Sequence, residues 1–547
     1  MSRLKRVFFA KENQVFFNWF FPSVIFLFIC IAGGILQYFE NVPVSDVATR
    51  YAPMAEAFRD GNWQYAFHPR IQPLMPVAGG IIAKLGGLDG FTAMKFAGIL
   101  FLGLTIFPLY FLNLRLFDRG VAIFSGLFYL FCSRLWLLAL AGLRDTGKAF
   151  AMMLSAYALL MIYREREKLR HYLLLTLGVA LGVNCRGDFI FMGAVFLMVS
   201  YYIEYGHCRW GKYTLAALFT VWLLMLPFVL INYFNFGAAV PEMRFGMWYE
   251  AKFGVFPGIK AMLIFSVAAM VGFAIFMQIL CRIPQKAVFI FIPSALVILF
   301  TVLSCYLLKR GGNYDFGDFF ESLGAGFYPQ YGFVALLGFY LMIRKKLMNK
   351  EHGLILFILF FHAIALVLQI MISEKTFYVG RRYLLSAAPL YFGFSAWTLL
   401  ELRRMLTKWC SEKWSWTALV TVSLLFVIIE MLWFGNRVRK DFTSKKHRTI
   451  LEAAAAIRND RDYAACKEEK ISAAVTFRSY VPSASVLVSL EKNNHTFDTV
   501  PYCAGARIAL PGEKAHYAIE KESGKKDSRR VVKIIEIKKK KFVIFRY

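Results

Sequence analysis

Asp46 lies a few residues beyond the first long apolar run of a 547-residue chain, in the segment Ser45-Asp46-Val47-Ala48-Thr49-Arg50-Tyr51. A carboxylate close to low-dielectric surroundings gains basicity and can take a proton from an acceptor hydroxyl. Asp46 also precedes a predicted helix over 47–59, where it fits an N-cap accepting backbone N–H groups. Both readings stand, and one residue can serve both. The same loop, residues 40–90, continues through Glu56, Gly61-Asn62-Trp63 and His68-Pro69-Arg70-Ile71-Gln72-Pro73-Leu74. Its last part, 73–89, is apolar but interrupted by glycine pairs and Lys84, which predicts a helix along the membrane interface. Lys84 there either pairs with a lipid phosphate or snorkels to water.

Three further sites repeat the theme of charge at the ends of apolar runs: Arg144-Asp145-Thr146, Arg186-Gly187-Asp188 and Arg381-Arg382-Tyr383. Any one Arg–Asp pair is satisfied by its own partner. Three on one side of a helix bundle point to a polar, phosphate-binding cavity. Asp46, Glu56, Asp145 and His68 are types that can meet at a divalent ion. No ligand spacing requires one, so no metal site and no cofactor are assigned. Nine cysteines are scattered without a CxxC pair; Cys466 and Cys503 either form a disulfide or stay as two thiols.

The elements that must hold these residues are membrane helices. Hydrophobic residues make up 58% of the chain and charged residues 18%, with 56 phenylalanines and a mean hydropathy of +0.52, far from soluble proteins. Apolar runs near the ~20 residues a bilayer requires recur at about 17–39, 91–112, 120–142, 149–163, 172–185, 188–203, 214–233, 259–281, 287–308, 332–343, 354–372, 383–401 and 417–435. The expected architecture is an all-α polytopic bundle of about thirteen transmembrane helices over 1–435, followed by a small α/β domain over 436–547. In that tail a helical stretch, 447–459, precedes strand-like runs at 471–477, 485–490, 531–537 and 542–546.

A net charge of +29 first suggests nucleic acid. Its distribution excludes that reading. After Gly435 there are 25 basic and 13 acidic residues, and the other +17 sits largely in short loops between apolar runs. Arg3, Lys5, Arg6 and Lys11 begin a series continued by Arg115/Arg119, Arg164/Arg166/Lys168/Arg170, Arg209/Lys212, Arg282/Lys286, Arg344/Lys345/Lys346/Lys350 and Arg403/Arg404/Lys408/Lys413. Basic short loops face the cytoplasm. The N-terminus is therefore expected inside, behind an uncleaved first helix, and residues 436–547 outside a plasma (inner) membrane.

Together these motifs resemble the GT-C glycosyltransferases, in particular the protein-mannosyltransferase branch that includes the aminoarabinose transferases. The resemblance rests on Asp46 after span one and a G-x-W…P…PL loop, here Gly61-Asn62-Trp63 through Pro69, Pro73 and Leu74. It continues with Arg144-Asp145 before span four, Arg186 and Asp188 after span five, and Arg382-Tyr383-Leu384-Leu385 leading to Pro389. It covers the whole chain, in order and topology more than in any single motif. Many members carry paired acids after span one, whereas Val47 follows Asp46 here. The resemblance implies a polyprenyl-phosphate sugar donor, a lipid, glycan or protein acceptor, and inverting transfer with Asp46 as general base. Lys84, Arg186 and Arg382 would neutralise the leaving phosphate, while Asp145 and Asp188 orient base, cation or sugar; Arg144, Arg381, Tyr383 and His68 complete the expected substrate contacts. A transporter or flippase of a lipid-linked or polar solute is the main rival. It would place ionisable groups at mid-membrane in repeated halves, whereas here they gather at span ends and no repeat is found. A scaffold whose tail binds cell-wall material is a second rival, for which Asp46 would be dispensable.

The orientation is testable. In a chain stripped of its native cysteines, a single cysteine introduced within 436–547 should react with a membrane-impermeant thiol reagent in intact cells. Labelling only after lysis would invert the topology.

Overall fold

A computed structural model describes residues 11–39, 46–67, 71–205, 210–237, 239–240, 249–250, 253–255, 257–282, 302, 329–374, 385–443, 452–453, 455–457, 459–460, 487–490, 507–508, 517–521, 530–537 and 540–546. The helices are α1 (Lys11–Leu36), α2 (Ala52–Arg59), α3 (Leu74–Gly86), α4 (Gly90–Leu104), α5 (Ile106–Leu116), α6 (Arg119–Leu130), α7 (Ser133–Leu140) and α8 (Asp145–Arg164). They continue with α9 (Leu169–Cys185), α10 (Phe189–Tyr205), α11 (Lys212–Phe236), α12 (Ile259–Arg282), α13 (Pro329–Arg344), α14 (Lys350–Glu374), α15 (Ala388–Leu406) and α16 (Glu412–Thr443). The chain divides into two compact units. One comprises residues 1–31, 100–136 and 144–430; the other comprises 32–99, 137–143 and 431–547.

Six helical stretches among the described residues are long and apolar enough to cross a membrane, or seven if a bent pair counts as one. The protein is a polytopic helical membrane protein. The expected count of about thirteen also included runs that form shorter apolar helices, such as α9, α10 and most of α13, and the run 287–308, of which only residue 302 is described. The run 120–142, expected as one straight span, is α6 and α7 meeting at a 50° bend. No proline stands at that break. A break inside an apolar span leaves backbone N–H groups at the start of α7 without helical partners, which lipid cannot satisfy. Glu430, buried in α16, fills the role: it accepts the Ser133 backbone N–H at 3.1 Å and hydrogen bonds from the Ser133 hydroxyl and the Gln330 amide. Aromatic rings of Phe128, Tyr331, Phe392 and Phe426 pack together in the same unit.

The site depends most on the antiparallel hairpin of α8 and α9. Asp145, acidic at the first position of α8, suits the positive end of the helix dipole. The two helices come close because Gly178 faces Ser155. A Cβ at Gly178 would lie 2.5 Å from the Ser155 hydroxyl and 3.0 Å from its backbone nitrogen. Gly182 likewise meets the Phe189 ring at the start of α10. At the far end of α10, Glu204 accepts the backbone N–H groups of Tyr213 and Thr214, both at 2.8 Å, and so caps α11.

In the second unit, α3 buries Met75, Pro76, Gly79, Gly80 and Ala83 and exposes Ile81, Lys84 and Leu85. That one-sided helix matches the amphipathic stretch expected there. The C-terminal residues form a five-stranded sheet of β1 (Leu487–Leu490), β2 (Arg507–Ile508), β3 (Tyr517–Lys521), β4 (Arg530–Ile537) and β5 (Lys540–Arg546), in the order β2-β1-β3-β5-β4. β1 runs parallel to β2 and β3, and β5 antiparallel to β3 and β4, with a bulge between Val531 and Lys533. Of the expected strands, 471–477 lies outside the described residues, whereas β2 and β3 were not expected. Short strands carrying alanine and charge give little periodic signal.

Gly178→Leu is expected to push α8 and α9 apart and cost about 1–3 kcal/mol. Thermal unfolding of the detergent-solubilised protein would show a lowered midpoint.

Candidate functional site

The turn from α9 to α10 returns the chain to the start of α8, and four charged side chains meet there. Arg186 donates from Nη1 to Asp145 Oδ1 at 2.9 Å and from Nε to Asp188 Oδ1 at 3.1 Å. Lys148, one turn into α8, donates from Nζ to Asp188 Oδ2 at 2.7 Å. The charges alternate: Lys148, Asp188, Arg186, Asp145. Side-chain exposures are 1%, 4%, 13% and 2% in that order, so the group is almost wholly withdrawn from water. Burial by itself raises the Asp188 pKa, but the attraction of Arg186 and Lys148 and their hydrogen bonds outweigh it. They hold that carboxyl well below the usual carboxylate range.

Backbone contacts clasp the same corner. Arg144 Nη1 donates to the Cys185 carbonyl at 3.4 Å, and the Cys185 thiol donates to the Arg144 carbonyl at 3.1 Å. Residues 144 and 185 are thereby tied at the mouth of the hairpin. The resulting corner holds fixed charges of both signs, with one guanidinium hydrogen-bonded to two carboxylates. Such a group can orient an anion or a hydroxyl-bearing substrate without reorganising.

Asp46 belongs to the other unit. Its backbone is already helical and its side chain makes no capping hydrogen bond, so the N-cap reading is withdrawn. Instead the carboxylate meets Arg50 Nη1 at 3.3 Å, one turn on, and is about a third exposed. A carboxylate placed so is accessible to a hydroxyl group. The helix expected over 47–59 is not regular: Val47–Tyr51 form a π turn in which the Ala52 N–H reaches the Val47 carbonyl. Pro53, at the start of α2, has no N–H to continue an α ladder and its ring crowds the preceding turn, which favours the wider π spacing. Glu56 accepts the Gly90 N–H at 2.9 Å and so caps α4.

Of the residues expected in the site, Asp145, Arg186 and Asp188 come together, with Arg144 adjoining through backbone contacts. Lys84 is an exposed side chain on α3. His68, Arg381, Arg382 and Tyr383 lie outside the described residues, as do Cys466 and Cys503. Among the described residues no group of three or more His, Cys, Asp or Glu side chains can hold a metal ion. Lys148 was not foreseen. The apolar run predicted from the sequence begins at residue 149, which leaves the lysine outside it. Its spacing of three from Asp145 was the available sign, since residues so spaced share a helix face.

No protein-family model matches the sequence, and no curated relative does. Among solved structures, the Archaeoglobus fulgidus oligosaccharyltransferase tethered to an acceptor peptide aligns over 92% of this chain and 64% of its own, at 11% identity and a TM-score of 0.54. The same enzyme, AglB, in complex with an inhibitory peptide and a dolichol-phosphate aligns over 91% and 64%, at 12% identity and a TM-score of 0.52. The present chain thus spans under two thirds of the length of these archaeal proteins. ArnT from Cupriavidus metallidurans bound to undecaprenyl phosphate aligns over 98% of both chains at 12% identity, with a TM-score of 0.43. The fold is that of the GT-C glycosyltransferases.

Removing one partner from a buried ion pair strands the others. Arg186→Met is therefore expected to lower stability by about 3–5 kcal/mol, whereas Lys84→Met, on an exposed face, should stay within about 0.5 kcal/mol. Unfolding midpoints of the two purified variants provide the comparison.

Proposed function

We propose that this chain is an inverting membrane glycosyltransferase moving a hexosyl or pentosyl group from a polyprenyl-phosphate donor to an acceptor hydroxyl on the extracytoplasmic side. The observation that carries the reading is the buried Asp145–Arg186–Asp188–Lys148 array at one end of a helix hairpin, in a GT-C fold. The likeness to AglB, whose structure holds a dolichol-phosphate, supports a lipid-phosphate carrier. Lipid, glycan or protein would serve as acceptor.

Asp46 acts as general base in this scheme. It takes the acceptor's proton as the oxygen attacks the anomeric carbon, and the polyprenyl phosphate leaves from the opposite face. A phosphate leaving group requires charge stabilisation more than protonation. Lys84, Arg186 and Arg382 supply the cations. Asp145 and Asp188 hold Arg186 in orientation, and Arg144, Arg381, Tyr383 and His68 are the remaining substrate-binding residues of the scheme. Residues 1–435 form the catalytic membrane part and residues 436–547 an extracytoplasmic α/β domain, with the N-terminus in the cytoplasm of a plasma-membrane protein. The bent pair α6–α7 is the one observation favouring the alternative, a transporter or flippase, because such proteins bind solutes at broken helices.

One experiment separates these readings. The purified chain is given radiolabelled undecaprenyl- and dolichyl-phosphate sugars with a membrane-lipid extract as the acceptor source. Wild type should release polyprenyl phosphate and label the extract, and Asp46→Asn should lose at least about a hundredfold, in the range of general-base contributions. Undiminished transfer by Asp46→Asn would remove the base assignment. Movement of intact donor across proteoliposome membranes without transfer would favour the transporter.

A further inference from the structure

The four-charge array contains a residue for which the proposed chemistry has no direct use. Lys148 is 1% exposed and among the largest fully buried side chains of the described residues. Asp188 Oδ2 is the one hydrogen-bonding partner of its ammonium among the described residues. A buried ammonium is costly, and a methionine or leucine would fill the same space in a helix without that cost. The array explains the lysine. Arg186 is shared between two carboxylates, so without Lys148 three buried charges would carry a net charge of −1. With Lys148 they sum to zero.

We propose that Lys148 is a positioning residue: by pairing with Asp188 it leaves the Arg186 guanidinium bound to Asp145 as well, and so holds that one arginine fixed between the two carboxylates. This rests on the proposed function in placing Arg186 and Asp145 at the site of transfer. Among the described residues, the charged and titratable groups that meet at this corner include Asp145 and Lys148 from α8, Arg144 ahead of it, Cys185 at the end of α9, and Arg186 and Asp188 in the turn. In the wild type the Asp188 carboxyl gives up its proton below the ordinary range. Its contribution to stability is therefore present above that range and lost as pH falls through the lowered value. Removing Lys148 takes away one of the two cations that lower it, so the loss begins at higher pH.

The test measures transfer rate and melting temperature across pH for the full-length protein and three variants, Lys148→Met, Lys148→Arg and the double variant Lys148→Met/Asp188→Asn. Lys148→Met is expected to lose about tenfold or more in rate, one 1.4 kcal/mol step. The acid limbs of both its profiles should move to higher pH. Lys148→Arg keeps the charge, and the double variant restores neutrality with an amide that still accepts from Arg186; both should recover most of the rate and the wild-type acid limbs. A Lys148→Met protein with wild-type acid limbs, or a double variant no better than the single, overturns the inference. The melting profile is read whether or not the chain transfers sugar, so absence of transfer defeats the proposed function while the melting limbs still decide the role of Lys148. If Asp145→Asn and Arg186→Met abolish transfer but Lys148→Met changes neither profile, this inference alone fails.

Discussion

Charge neutrality in a place without water is the constraint on which the α8–α9 corner depends. Two cations and two carboxylates almost wholly withdrawn from solvent are tolerable only as an alternating series in which each member touches an opposite. The series closes because α8 and α9 approach closely enough for the turn after Cys185 to reach the first turn of α8. That approach depends on Gly178, which cannot carry a side chain without displacing Ser155, while Gly182 gives the Phe189 ring room at the turn into α10. Helix packing, local turn geometry and electrostatics are thus one problem. A methyl group in the middle of the hairpin bears on an ion pair at its end.

The same rule governs a place remote in sequence from that corner. Where α6 stops and α7 begins, the unsatisfied backbone N–H of Ser133 is met by Glu430, a carboxylate within an otherwise apolar span. An acid at such a depth ordinarily marks a pathway or a relay. Here its hydrogen bonds show a more local duty, supplying acceptors to a helix start that lipid cannot serve.

Much of the architecture was legible in the sequence because the bilayer writes it there: continuous apolar runs with basic breaks have few other meanings. Less legible was anything decided by contact across long separations. Asp145 and Arg186 could be singled out by type, but their pairing joins positions 41 apart, and no local pattern announces it. Lys148 was passed over since a lysine beside an apolar run reads as a loop residue until a partner is known. The α6–α7 bend had no proline to mark it, and the two-residue strand β2 has no period to detect. Asp46 shows the opposite case: a residue type suited to capping turned out to stand inside the helix, because the turn after it is not α-helical.

That π turn has a consequence for comparing this chain with others. Accommodating one extra residue per turn shifts the angular phase of everything before it by about 100° relative to α2. Asp46 and Arg50 therefore do not project from the face that a regular heptad drawn back from Glu56 would give them. An alignment that threads residues 46–59 onto an unbroken helix will place the carboxylate on the wrong side. Threaded onto an unbroken helix, this loop therefore requires a one-residue insertion within the Val47–Tyr51 turn, and the position of Asp46 follows from the chain upstream of it.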